Sequence, residues 1–377
     1  MNNTTSPTKS SRIESLDAFR GIASFLIMLT HFVLMVPEVF QVENLGYIYG
    51  GLSWKLPYFF TLSGYVLTIS FERNKTSLER PYRSFLTSRI LRIYPLFLIT
   101  TLAMYFIKVY FGAGEYIEGA SGFFNVSWGL APTCGNLMHS LTLVGWEDTW
   151  LYNGPAWTLP YEMRYAILFP ILWWLLRKSW LTAILFVAAA YIAKNIASGL
   201  ESIYIFYNPD FITANLCSMF GFLLFYVGGM LLALNRNTLT NLYLSLKKAG
   251  KITVLLITIA LMLNTLWVRY IIPSSIYSIA SDCLMTLGVG AWIVILVNNR
   301  VISSIFSVKP LVALGRSSFS IYLWHTPVFT LLYMLLREHI SVWYIIAFSV
   351  VLTIVVAQLS FKYLERPVIA YSRRLRR

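Results

Sequence analysis

Long apolar runs of about membrane-spanning length, separated by short polar stretches, dominate the chain. Their patterning is helical rather than alternating, so an outer-membrane barrel is not what they encode. The pattern predicts helices over 16–36, 52–72, 91–110, 156–176, 179–198, 216–234, 252–272, 281–299, 317–336 and 342–364. The expected fold is all-α, a polytopic membrane helical bundle of about ten transmembrane helices.

Composition agrees. Hydrophobic residues make up 57% of the 377 and charged residues only 12%, with a mean hydropathy of +0.65. A soluble domain carries about twice that charged fraction. The net charge of +14 raises the question of nucleic acid, but the basic residues are spread over alternate connections instead of forming one basic domain. They fall before the first span, between the second and third (Arg73 to Arg92), and after the fourth, sixth, eighth and last. That bias fits the positive-inside rule with both termini cytoplasmic, and membrane lipid, not nucleic acid, is the expected partner of the charge. Localisation in a plasma membrane, a bacterial inner membrane by expectation, follows. The division expected is a cytoplasmic tail over 1–14, a membrane domain over 15–366 and a basic cytoplasmic tail over 367–377.

The first apolar segment does not read as a cleaved signal, because Arg20 and His31 interrupt it and no small-x-small cleavage site follows. Cys134, Cys217 and Cys283 show no paired spacing, which supports neither a disulfide framework nor a metal site. The stretch from Phe111 to Pro155 lacks Lys and Arg and is rich in Trp, Tyr, Gly and Asn. It reads as an external connection whose rings either stack on sugars or belong to the interfacial aromatic belt.

Ionisable side chains inside spans are costly and mark function by default. Arg20 and His31 stand eleven positions apart, almost three helical turns, so they share one face roughly 16 Å apart. His31 and Glu162 each lie roughly 8 Å inside the outer end of their spans, a shared depth that suits a general base with an orienting carboxylate. Arg164, about 200° round the helix from Glu162, needs another partner: a substrate phosphate or a structural ion pair. Arg89 and Arg92, spaced i, i+3 where the third span is expected to begin, suit a polyphosphate or serve as a positive-inside signal. Ser63-Gly64 allows close approach of a second helix or of a ligand. His325, two residues before Pro327, either lines the cavity of His31 or bonds backbone freed by the proline.

Arg20-Gly21-Ile22-Ala23 followed by His31 resembles the Arg-x10-His signature of the acyltransferase-3 family of integral membrane acyltransferases. The resemblance continues through Phe59-Phe60-x-x-Ser63-Gly64-Tyr65, Arg89-x-x-Arg92 with Tyr94-Pro95, and Trp157-Thr158-Leu159-x-x-Glu162. It closes with Ser317 to Pro327 and Glu365-Arg366-Pro367, in the family's order over nearly the whole chain. The resemblance implies a membrane O-acyltransferase that moves an acyl group, acetyl in the usual case, from cytosolic acyl-CoA. The acceptor it implies is a hydroxyl of a surface glycan or lipid-linked saccharide at the outer face. It implies His31, Arg20 and Glu162 as the catalytic group, with Arg89, Arg92 and Arg20 holding the acyl-CoA. Ser63, Trp157, Arg164, Tyr322 and His325 are expected to line the substrate cavity, with no metal involved. Without an appended SGNH-type domain, the sequence looks like the family's stand-alone form. The rival of another class is a secondary transporter of an anionic solute, for which the expected symmetry of two halves is not visible.

Overall fold

The computed structural model describes residues 13–36, 52–73, 81–118, 120–143, 152–179, 181–182, 184–192 and 211–374. Among these residues helices and turns account for all regular structure. The principal helices are α1 (Glu14–Met35), α2 (Lys55–Arg73), α3 (Pro81–Phe111), α4 (Leu159–Lys178) and α5 (Phe211–Leu234). They are followed by α6 (Lys248–Met262), α7 (Ser274–Asn298), α8 (Lys309–Arg316), α9 (Ser318–Leu336), α10 (Val342–Ser360) and α11 (Arg366–Arg374). The protein is an all-α polytopic membrane bundle. Among the described residues five helices are long and apolar enough to cross a bilayer by themselves, or up to seven if each of two bent pairs is one span. The expected span 179–198 is described only in part, and the basic residues Lys9, Arg12, Lys75, Arg80, Lys194, Arg376 and Arg377, with Glu147 and Asp148, lie outside the described residues.

The more polar long helices are informative. α2 carries Lys55, Glu72 and Arg73, and α4 carries Glu162, Arg164, Arg177 and Lys178 with two prolines. Both line the internal cavities described below, where polar side chains are tolerated in a membrane protein. α10 shows the opposite pattern: Trp343, Phe348, Val351 and Val355 are exposed, forming an apolar outer surface that suits lipid.

Small residues set the closest helix crossings. A Cβ at Gly64 of α2 would strike the Tyr226 carbonyl of α5, and one at Gly229 of α5 would strike the Thr61 carbonyl of α2. Gly21 of α1 and Gly315 of α8 are packed backbone to backbone in the same way. With lipid as the solvent, such close packing is a main source of helix association. It locks α2 against α5 and α1 against α8.

Three sequence expectations change in position. α3 begins at Pro81, ten residues before the expected span, so Arg89 and Arg92 sit in its third and fourth turns. The favourable helix dipole decays within the first turn, so it does not act on an anion at these arginines. The fourth span is preceded by a 3-10 turn, Gly154–Thr158, that carries Trp157 and Thr158. The segment expected as one span over 252–272 bends by 57° after Met262.

Candidate functional site

α1 and α9 run in the same direction, and two contacts register them. The Arg20 Nε–H donates to Ser318 Oγ at 2.8 Å, and further along His31 Nδ1 meets His325 Nε2 at 2.8 Å. Arg20 and His31 therefore face the same neighbouring helix, as their eleven-residue spacing requires. Arg20 is held firmly: it also donates from Nη2 to the Gly315 carbonyl at 2.8 Å and pairs with Asp17 at 3.4 Å.

Around Arg20 lies a cleft of about 820 Å³. Arg89 and Arg92 of α3, Ser63 of α2, Glu162 of α4 and Tyr322 of α9 line it. Glu162 is half-buried in the electrostatic field of Arg89, Arg92 and Arg20. A second cavity of about 700 Å³ lies towards the other end of α1 and is lined by His31, Thr30, Lys55, Trp157 and Tyr322. Leu56 and Tyr322 line both, so the two spaces share one wall. Tyr322 is set in that wall by a 3.0 Å hydrogen bond with Thr158 and by the Phe59 ring at 6.2 Å.

The expected pairing of His31 with Glu162 is not what the fold shows. Glu162 lines the arginine cleft, and the ring that His31 meets is that of His325. Equal depth in two spans leaves the direction round each helix open, and here it sends the two side chains to different cavities. Arg164 also departs from expectation. Its guanidinium stacks over the Tyr161 ring at 5.6 Å, and it is not among the residues lining either cavity. Ser63, Trp157 and Tyr322 do line them, and His325 is fully buried behind His31.

The hydrogen-bond network assigns the tautomers. A backbone carbonyl only accepts, so the 3.1 Å contact of His325 Nδ1 with the Ile321 carbonyl requires a proton on that nitrogen. Neutral His325 then presents Nε2 as an acceptor, and His31 donates to it from Nδ1. Neutral His31 is left with its lone pair on Nε2, the arrangement a proton acceptor or nucleophile needs. Phe32 backs the pair, stacked on Phe329 at 4.9 Å.

Pro327 explains why the chain can hold this geometry. It removes the N–H that would bond the Leu323 carbonyl. The Asn153 Nδ2–H donates to that carbonyl at 3.0 Å, tying the 153–158 turn, with Trp157 and Thr158, onto α9. Sequence reasoning missed Asn153, and it also passed over Lys55, whose Nζ–H donates to Thr30 Oγ1 at 2.5 Å inside the His31 cavity. A lysine in an apolar segment was the available signal for the latter. Glu365, in a π-helical turn after α10, is likewise buried and accepts from Ser320 Oγ.

Comparison with known proteins places the chain in a family. A family model described as an acyltransferase domain matches residues 13–361. The peptidoglycan O-acetyltransferase OatA of Listeria monocytogenes is 41% identical over 68 residues, which are 18% of this chain and 11% of that protein. The chain thus spans about a tenth of the length of that relative in the match. No solved structure matches the chain. With nearly all of its helical core covered by that model, the chain belongs to the acyltransferase-3 family.

Proposed function

We propose that the protein is a membrane O-acyltransferase that takes an acyl group, acetyl by preference, from acyl-CoA at the basic end of the bundle. It passes this group to a hydroxyl of a glycan or lipid-linked saccharide at the opposite face. The observation that carries this reading is the pair of cavities on either side of a wall shared through Tyr322 and Leu56, one lined by three arginines and the other by an oriented histidine. Arg89 and Arg92, both at least partly exposed in the cleft, hold the phosphates of the donor through charge-assisted contacts. Anchored Arg20 marks the way inward, and Glu162 spaces the guanidinium groups. The acyl thioester reaches the His31 cavity along the Tyr322 wall. There His31 Nε2 takes the proton of the acceptor hydroxyl as its oxygen attacks the thioester carbonyl, and returns it to the leaving thiolate. His325 holds the ring in the competent tautomer. The acetyl preference and the glycan acceptor draw on the relative, a peptidoglycan O-acetyltransferase by name.

The test uses labelled acetyl-CoA with membranes containing the protein. His31→Ala should lower label transfer by about 10²-fold or more at unchanged acetyl-CoA affinity, in line with loss of a general base. Arg89→Ala/Arg92→Ala should raise the KM for acetyl-CoA, each lost contact weakening the complex by about tenfold or more. Transfer that survives His31→Ala would overturn the mechanism.

A further inference from the structure

The cavity of His31 holds a second ionisable group that the reading above does not use. Lys55 is only 7% exposed, although it carries an ammonium in the interior of a membrane protein. Burial of that kind is costly and is kept where the charge has work to do. Its position is set on two sides. Lys55 is the first residue of α2, and its Nζ donates to Thr30 Oγ1, the residue immediately before His31 on α1. Ammonium and imidazole therefore line one cavity at one level, together with Trp157 and Tyr322. The N-terminus of α2 adds positive potential of the same sign on the same side.

Acyl transfer to a hydroxyl places negative charge on one atom that His31 cannot serve. When the hydroxyl oxygen adds to the thioester carbonyl, the C=O electron pair moves onto oxygen while the hydroxyl proton passes to His31 Nε2. Collapse restores the C=O bond, breaks the C–S bond and sends the electron pair out on sulfur, which recovers the proton from His31. Between the two events an oxyanion faces the cavity wall. Stabilisation by a preorganised donor at that point is often the largest single contribution to such a reaction.

The geometry points to Lys55 as the catalytic oxyanion-stabilising residue of this cavity, donating from Nζ to the carbonyl oxygen of the transferring acyl group while Thr30 fixes the ammonium beside His31. This rests on the acyl-transfer reading and extends it. In the tetrahedral intermediate the oxyanion then lies between the Lys55 ammonium and the transient His31 imidazolium, so each cation is offset by the same negative charge. A salt-bridging lysine with a purely structural role has no such dependence on the reaction coordinate.

The experiment compares the wild-type protein with Lys55→Met, which keeps length and removes charge, and with Lys55→Arg. Two rates are read for each: transfer of labelled acetyl from acetyl-CoA to glycan in membranes, and slow acetyl-CoA hydrolysis by the purified protein, followed as free thiol. Acetyl-CoA binding to each purified variant reports folding. Lys55→Met should lower kcat for transfer and hydrolysis by the same factor, about 10²–10³-fold, since both pass through the oxyanion. Binding of acetyl-CoA should stay within about twofold, because the arginines lie in the other cavity. Lys55→Arg, with a charge of different shape, should recover part of the loss. An unchanged kcat overturns the assignment, as does a loss confined to transfer, which would make Lys55 an acceptor-binding group. Loss of acetyl-CoA binding in Lys55→Met together with loss of both rates overturns it too, in favour of a structural role. Activity of His31→Ala measured beside them separates failure of the acyl-transfer reading from failure of the Lys55 assignment.

Discussion

Both ring nitrogens of His325 are engaged, Nδ1 with a carbonyl of its own helix and Nε2 with His31. This arrangement differs from a carboxylate partner in one testable way. A neutral acceptor orients His31 without adding negative charge, so what the site needs at position 325 is an acceptor of the right reach. His325→Gln can still offer a side-chain oxygen to the His31 Nδ1–H, whereas His325→Phe keeps ring volume and offers none. We expect kcat for acetyl transfer to fall by about 10²-fold in His325→Phe and by clearly less in His325→Gln, at similar KM for acetyl-CoA. Equal losses in both variants would show that ring packing, not the hydrogen bond, is what His325 supplies. The same residue shows how far single positions can be read from sequence. His325 beside Pro327 left two readings open, cavity or freed backbone, and the fold follows neither as stated: His325 sits behind His31 and bonds the Ile321 carbonyl, while the carbonyl freed by Pro327 goes to Asn153. Glu162 misled because depth is additive along a helix while direction round it depends on packing against neighbours. Lys55 was legible as an anomaly, but its meaning needed Thr30 and His31 placed beside it.

At the scale of elements, the apolar pattern located helices well wherever a span is bounded by polar residues on both sides. α9, read as 317–336 and found at Ser318–Leu336, is such a case. It failed at α3, where Pro81 to Ile90, with Arg83, Ser84, Thr87, Ser88 and Arg89, is too polar to read as membrane-spanning yet continuous with the helix. Helix continuity is decided by backbone hydrogen bonding, and hydropathy does not report it. Hydropathy is equally silent on how α9 tolerates Pro327. The carbonyl of Leu323 lost its helical donor to the proline and gained Asn153 Nδ2–H from a connection 170 residues away in sequence. Leaving a buried carbonyl unpaired costs about 1–3 kcal/mol, so Asn153→Ala should destabilise the detergent-solubilised protein by that amount in thermal unfolding. Pro327→Ala restores an N–H that competes for the same carbonyl. The two substitutions should therefore couple: the Asn153→Ala loss shrinks by about 1 kcal/mol in the Pro327→Ala background. Additive effects would mean that Asn153 acts through other contacts.

For the molecule as a whole, the order of its cavities has meaning only with a direction across the membrane. The arginine cleft lies near the end where α1 begins and α3 starts, and the His31 cavity lies towards the end where α1 finishes. Acyl-CoA is a cytosolic donor, so the mechanism works only if the arginine end faces the cytosol. The distribution of Lys and Arg argues for that orientation through the positive-inside rule. The native cysteines allow a direct test. Cys134 is exposed, on the short helix Cys134–Ser140 in the connection that follows the far end of α3. With Cys217→Ser and Cys283→Ser in place, a membrane-impermeant maleimide should label Cys134 in intact cells. In a background lacking all three cysteines, Arg374→Cys at the exposed end of α11 should take label only after permeabilisation. The opposite pattern would put Arg89 and Arg92 outside the cell, away from any acyl-CoA. The proposed donor site would then fail even with every distance in it unchanged, because the chemistry of the cleft depends on which solution it opens to.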